Sequence, residues 1–569
     1  MMVTGGELLA RAMRNAQVDQ VFTLHGGHLD AFFVACEPNG IRLIDTRHEA
    51  TAGHAADAYA RMTGQPGVCV VTSGPGFTNV YTAIANAYLD SIPVLFVVGA
   101  PPIREAETNP LQGGIDQIAA SLPVTKWAHR ATNTERIPEL VDLALRHAVS
   151  GRPGPVLLEV PIDILFRPVD DSLIRNQTSS LGVARPGPAS SQIADAIQLL
   201  ESAERPILVT GGGAALSDAG FELVELAEML VAPVFVPGKG DGILPASHPL
   251  AAGGATPLSL MSQMVGAPDV VVLIGCRVGM FTGGRASSFP GAKIIQIDLD
   301  LVEIGRLQNV AVPIVADCKM ALRALIDSAQ TRTFPDTREW SKNVVAVKDF
   351  HRGLFSDSTT STGRLHPYFA AQAVVAGTPD DAVFILDGGE APNWAEFHIQ
   401  AERPSSVLRL GYLGCLGVGQ GFAIGAQGVA PDRPVLLITG DGAAAFHIQE
   451  FDTMVRHGLP VVTVVFNNLV WGMSIHGQKA VYGDSGVVVS ELADSAYEQV
   501  AIAFGGYGER VDRLEDLEAA VRRAFESGRP ACINVAIDPE VVHPLTTAML
   551  GDVTTTSEIV VPYYENLPL

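Results

Sequence analysis

Short runs of valine, isoleucine and leucine alternate along the chain with segments whose apolar residues recur at helical spacing. VCVVTS and PVLFVVGA come early, PILVTG and VVVLIG in the middle, and VLLITG and VVTVVFNN late. Uninterrupted apolar runs of this length, bounded by turn formers, read as strands buried on both faces of a parallel sheet. Three such sets predict three doubly wound α/β domains, over residues 1–170, 188–330 and 365–543. Two Pro-bearing stretches, about 164–188 and 334–367, separate them, and the second brackets a helical linker. After a last strand, ACINVAI, residues 544–569 read as an irregular tail. Its aromatic and aliphatic residues predict that it docks on the body, where it could serve as a lid.

Charge and cysteine usage narrow the class. With 38 Lys and Arg against 61 Asp and Glu, the net charge of −23 disfavours a nucleic-acid partner, because phosphate binding needs clustered cations. The six cysteines are scattered with no CxxC pair, which suits reduced thiols and a cytoplasmic protein. GELLARAMRNA near the start has helical spacing and does not read as a signal peptide. No run approaches the roughly 20 apolar residues of a membrane span.

Two late strands end in groups suited to a metal. VLLITG runs into Gly440-Asp441-Gly442, and VVTVVF ends in Asn467-Asn468, so both finish at the carboxyl edge of one parallel sheet, where α/β proteins place ligands. A lone GDG is a common turn, whereas its pairing with NN after a second apolar strand is far more specific. A hard cation that keeps water and phosphate oxygens needs only a carboxylate and one or two carbonyls from the protein. Asp441, the side-chain oxygen of Asn468 and the carbonyl of Val470 are the candidates. Gly440 and Gly442 would let a diphosphate approach the backbone closely.

The GDG and NN pair resembles the signature of the thiamine diphosphate enzymes. Over nearly the whole chain the sequence is similar to their acetohydroxyacid synthase, benzaldehyde lyase and 2-hydroxyacyl-CoA lyase branch, whose order is pyrimidine-binding, middle and diphosphate-binding domain. The resemblance implies thiamine diphosphate and Mg2+ as cofactors. It gives Glu49, in DTRHEATAGHAADAYAR, the role of the glutamate that hydrogen-bonds the aminopyrimidine N1′ and relays the thiazolium proton. That glutamate serves a cofactor held by a second subunit, which implies a homodimer at minimum and a homotetramer as the usual assembly. Leu416 in GYLGCLGVGQG matches the aliphatic shelf beneath the thiazolium, Gly414 the carbonyl that meets the 4′-amino group, and Gly388 and Gly389 the diphosphate lining.

The residues that face the substrate follow from the same likeness. His28 in LHGGHLD and Gln112 in ETNPLQGGIDQIA occupy the places of a histidine and a glutamine that orient the substrate oxygen in benzaldehyde lyase. The walls differ from that enzyme: Ile162, Met473 and Gly477 replace flat aromatic surfaces and open space. Glu491, downstream of NN, and Tyr563 and Tyr564, in the tail, are further candidate substrate contacts. In the middle domain PGKGDGILPASHPL is similar to a 2-hydroxyacyl-CoA lyase segment that acetohydroxyacid synthases share in part. In those branches this domain holds the ADP portion of CoA or FAD, and Gly212, Arg277, Arg285 and Asp298 could line such a pocket here. The alternative is a middle domain that binds nothing, as in benzaldehyde lyase.

The expected enzyme is therefore a carbon–carbon lyase or carboligase. The first reading is a 2-hydroxyacyl-CoA lyase releasing an aldehyde or ketone and formyl-CoA. A benzaldehyde-lyase-like acyloin lyase is the second, and an acetolactate synthase is the third, because that group expects an acidic residue where Gly113 follows Gln112.

Overall fold

A computed structural model describes residues 1–105, 108, 111–174, 185–279, 282, 289–550, 553–554, 558–561 and 567–568. Each predicted apolar run forms a strand, and the strands gather into three six-stranded parallel sheets. The N-terminal sheet runs Arg42–Asp45, Gln20–Thr23, Gly67–Val71, Val94–Ala100, Val156–Pro161, Trp127–Arg130. The C-terminal sheet runs Val407–Arg409, Val383–Asp387, Val435–Gly440, Val462–Asn467, Ala531–Ala536, Tyr507–Val511. The two share one order, with the second strand outside the first and the sixth inside the fifth. Central strands in both are buried along their whole length, as a parallel sheet covered on both faces requires.

The middle sheet has a different order: Ala251–Gly253, Val234–Phe235, Pro206–Thr210, Val270–Ile274, Lys293–Asp298, Val312–Val315. This is the dinucleotide-fold arrangement, with its switch point between Pro206–Thr210 and Val270–Ile274. The Gly211-Gly212-Gly213 turn leaves the first of these strands.

The outer two units are fused. Helix Glu49–Thr63 packs along helix Val418–Val429, and one hydrophobic cluster contains Phe22, Ile44 and Phe96 together with Ile385, Phe422 and Leu437. Alanines and glycines allow the approach: a Cβ added at Gly421 would stand 2.6 Å from the His54 Cβ. The middle unit keeps its own two clusters, around Leu226 and Val272 and around Phe235 and Leu273.

Two segments differ from the sequence reading. Pro168–Asp170, within the stretch read as a linker, pairs antiparallel with Met2–Thr4 and ties the chain start down. The tail is not simply irregular: it opens with helix Pro544–Leu550, and the residue before that helix caps it, His543 Nδ1 accepting the N–H of Leu545 at 3.0 Å. The six cysteines are free. Among the described residues no helix is long and apolar enough to cross a membrane.

Candidate active site

The carboxyl edge of the C-terminal sheet gathers the predicted metal and diphosphate residues. Gly440 and Phe466 are paired in register on adjacent strands, so the turns that follow them lie side by side. Asp441 is 2% exposed, and its carboxylate accepts the N–H of Gly442 at 2.9 Å and the N–H of Leu469 at 2.8 Å. Burial pushes its pKa up to about 6 against these two bonds. A desolvated carboxylate held by backbone donors is suited to a cation. Leu469 sits at φ 65°, a left-handed conformation that is strained for leucine and that turns its N–H onto Asp441. Asn468 Oδ1 accepts the N–H of Val470 at 3.3 Å. Val470 bridges Glu491 antiparallel, with Trp471 N donating to Ser490 O and Leu492 N to Leu469 O. In that pattern the Val470 carbonyl points away from the Glu491 strand. Asn467, by contrast, is structural, its amide bonding Asp494, Ser495 O and Asn534.

Glycines form a cradle around this edge. Gly388 adopts φ 115°, and a Cβ at Gly442 would enter the Trp471 ring at 2.6 Å. A Cβ at Gly389 would meet Met473 at 3.0 Å, so the Gly388-Gly389 turn lies against the helix that carries Met473 and Gly477. Asp387, fully buried at the end of its strand, accepts the N–H groups of Gly417 at 3.1 Å and Gly419 at 2.9 Å. It thereby fixes the Gly411–Gly417 turn on which Gly414 is exposed and Leu416 half-buried. Burial raises its pKa to about 6. The donor set and the cradle fit a divalent cation with a diphosphate.

A second cluster stands at the carboxyl edge of the N-terminal sheet. Glu49 opens its helix behind the His48 cap, is 5% exposed, and accepts the Asn79 amide at 2.9 Å. Thr72 and Ser73 follow strand Gly67–Val71 and join the two predicted substrate residues. Thr72 Oγ1 lies 3.3 Å from His28 Nδ1, and Ser73 Oγ donates to Gln112 Oε1 at 3.3 Å. Burial lowers the His28 pKa. Gln112 is at φ 55°, held beside Gly74. Ile162 begins the short helix after strand Val156–Pro161, on this same edge, and does not line the cavity that contains Met473.

That cavity, about 1400 Å³, runs from Gly388, Gly389 and Met473 between the middle domain and the tail helix, where Leu545 and Met549 line it. A second cavity of about 460 Å³ lies where the three domains meet and contains Gly212, Arg277 and Asp298. Arg277 stacks 4.1 Å over Tyr412 and donates to Leu89 O, while burial raises the Asp298 pKa. Arg285, Tyr563 and Tyr564 lie outside the described residues. Glu491 is exposed.

Residues 3–120 match "Thiamine pyrophosphate enzyme, N-terminal TPP binding domain", 193–325 the central domain, and 387–535 the C-terminal TPP binding domain of the same enzymes. The chain belongs to the thiamine pyrophosphate enzyme family. As a member of that family it is similar to a probable acetolactate synthase of Mycobacterium bovis, 36% identical across 95% of this chain and 96% of that protein. It is 32% identical to 2-hydroxyacyl-CoA lyase 2 of Caenorhabditis elegans, across 94% of this chain and 89% of that protein. It is 30% identical to oxalyl-CoA decarboxylase of Escherichia coli K12, across 95% of each. Each matched segment of this thiamine pyrophosphate enzyme falls on one of the three sheets.

Sequence reading passes over three contributors to the site. Asp387 is visible only as an acid ending the apolar run VFILD, Thr72 as the residue before Ser73, and the pairing of Glu390 with His476 not at all. Those two are distant in sequence and meet only in the fold, at 2.9 Å.

Proposed function

We propose that this thiamine pyrophosphate enzyme is a 2-hydroxyacyl-CoA lyase, cleaving a 2-hydroxyacyl-CoA into an aldehyde or ketone and formyl-CoA, and running in reverse as a carboligase. The observation that carries the reading is the cavity of about 1400 Å³ beside Gly388, Gly389 and Met473. Pockets for drug-sized ligands occupy roughly 300–1,000 Å³. A diphosphate at Gly388 and Gly389 would take part of this space, and the remainder, which reaches Leu545 and Met549 of the tail helix, is room for a substrate longer than a keto acid. A thioester arm needs a long channel, and the smaller cavity at Gly212, Arg277 and Asp298 could receive its nucleotide end.

Asp441, Asn468 and the Val470 carbonyl would hold Mg2+, and Gly388, Gly389, Gly440 and Gly442 the diphosphate. Bound thiamine diphosphate supplies a thiazolium carbon that adds to a carbonyl and stabilises the resulting carbanion. Glu49 would exchange a proton with the aminopyrimidine ring, with Leu416 supporting the thiazolium and Gly414 its amino group. His28 and Gln112 would orient the substrate oxygen, His28 taking the hydroxyl proton as the carbon–carbon bond breaks. Ile162, Gly477 and Glu491 remain substrate candidates by the family likeness alone, since none of them lines the cavity beside Met473. The likeness to the family is what supports a homodimer in which each Glu49 serves its neighbour's cofactor, and a tetramer of two such dimers.

The identity to acetolactate synthases favours one second reading, condensation of two 2-keto acids with loss of CO2 from the donor. Incubation with formyl-CoA and an aldehyde, beside incubation with pyruvate, separates them. Formation of 2-hydroxyacyl-CoA supports the lyase, and acetolactate formation without it replaces that reading with the second.

A further inference from the structure

Beneath the diphosphate turn lies a charged contact that the reaction scheme above does not use. Glu390 and His476 are each 5% exposed. His476 Nδ1 stands 2.9 Å from Glu390 Oε1, and His476 Nε2 stands 2.8 Å from the Pro539 carbonyl oxygen. A carbonyl only accepts, so Nε2 carries a proton. The Nδ1 contact then needs a second proton between ring and carboxyl, and the pair retains it whichever atom bears it. Removing one partner of such a buried pair costs far more than the pair contributes, because the other is left unmatched.

The three segments joined here are those that shape the site. Glu390 follows Gly388-Gly389 directly. His476 lies on helix Gly472–Tyr482, between Met473 and Gly477. Pro539 follows the last strand and leads to His543, which is wedged 4.5 Å from Trp394 and stacked 5.0 Å from Phe397. A Cβ added at Gly472 would be 3.1 Å from Glu390 Oε2 and 3.3 Å from the Asn468 amide nitrogen, so both side chains come against the start of that helix.

We infer that Glu390 and His476 are a positioning pair, a buried clamp that sets the separation between the diphosphate turn and the helix bearing Met473, and that anchors the C-terminal segment to both. The inference rests on the cofactor assignment and not on the choice of substrate. It explains why a polar pair occupies a place that apolar residues could fill: the clamp fixes one register between turn and helix.

The test is cofactor binding by the full-length protein. Intrinsic fluorescence, with Trp471 packed at Gly442, is titrated with thiamine diphosphate at fixed Mg2+ for wild type, Glu390→Gln, His476→Gln and the double variant, beside thermal melts. Each single variant is expected to raise the half-saturating cofactor concentration about tenfold, and the double variant to be no worse than either, since the groups act as one unit. Losses that add in the double variant, or wild-type affinity in Glu390→Gln, would overturn the clamp. If His476→Gln fails to fold, the near-isosteric Glu390→Gln decides alone. Asp441→Asn separates the two levels: a response abolished there but unchanged in Glu390→Gln leaves the cofactor assignment standing and removes the clamp.

Discussion

Asn79 donates its side-chain amide to Glu49 Oε2 across 2.9 Å, joining the start of helix Glu49–Thr63 to the opening turns of helix Pro75–Asp90. The bond leaves Glu49 Oε1 available and fixes the plane of the carboxyl. Glu49→Gln keeps this shape and loses the exchangeable proton. Carboligation is expected to fall about 10²–10⁴-fold, with cofactor affinity held within about tenfold. Unchanged turnover in Glu49→Gln, measured at saturating cofactor, would refute the relay. Asn79→Ala should cost about tenfold in turnover through loss of the hydrogen bond that orients the Glu49 carboxyl.

Asp441 and Asp387 give the apoprotein a pH signature. Both have folded pKa values raised to about 6, above the unfolded value of 3.8, so the folded state binds more protons between these values. Their contribution therefore favours folding at low pH and is lost as pH rises through about 6. A cation on Asp441 relieves that penalty. The rise in melting temperature on adding Mg2+ and thiamine diphosphate should be several degrees larger at about pH 7.5 than at about pH 5, and Asp441→Asn should flatten the difference.

Gly442 has no room for a side chain. Gly442→Ala forces the new Cβ against the Trp471 ring, at 2.6 Å without adjustment, and is expected to destabilise the protein by about 1–3 kcal/mol. Displacement of that ring should also weaken cofactor binding. Chemical denaturation and a cofactor titration read the two effects separately.

His28 and Gln112 contact the adjacent residues Thr72 and Ser73, away from the diphosphate cradle, so their replacement should act on chemistry and leave the cofactor alone. His28→Ala is expected to lower kcat about 10²-fold, and Gln112→Ala mainly to raise KM for the acyl donor. With its pKa lowered by burial, His28 is neutral at pH 7, and the acid limb it imposes should fall below the ordinary histidine value. Rate–pH profiles of the wild type and His28→Ala provide the check.

Much of this is legible in the chain because the parallel sheets bury whole strands and write themselves as unbroken apolar runs. VLLITG and VVTVVF, and the groups at their ends, are local facts that one stretch of sequence contains. What sequence does not supply is whatever depends on two distant segments meeting. Glu390 and His476 stand far apart in the chain, and nothing in the sequence joins them until the fold buries them together. Pro168–Asp170 reads as linker because its strand partner is the first few residues of the chain. The tail helix escapes a sequence reading since seven residues with one proline carry little helical periodicity.

The helix contact between Glu49–Thr63 and Val418–Val429 has a consequence for how this chain could be taken apart. The first and last thirds share one core and cannot be expressed as separate pieces without exposing Phe96 on one and Phe422 on the other. The central third keeps its apolar residues largely to itself. It is the portion that should tolerate exchange for a relative's counterpart, which makes the chain, for protein engineering, one unit with a replaceable insert.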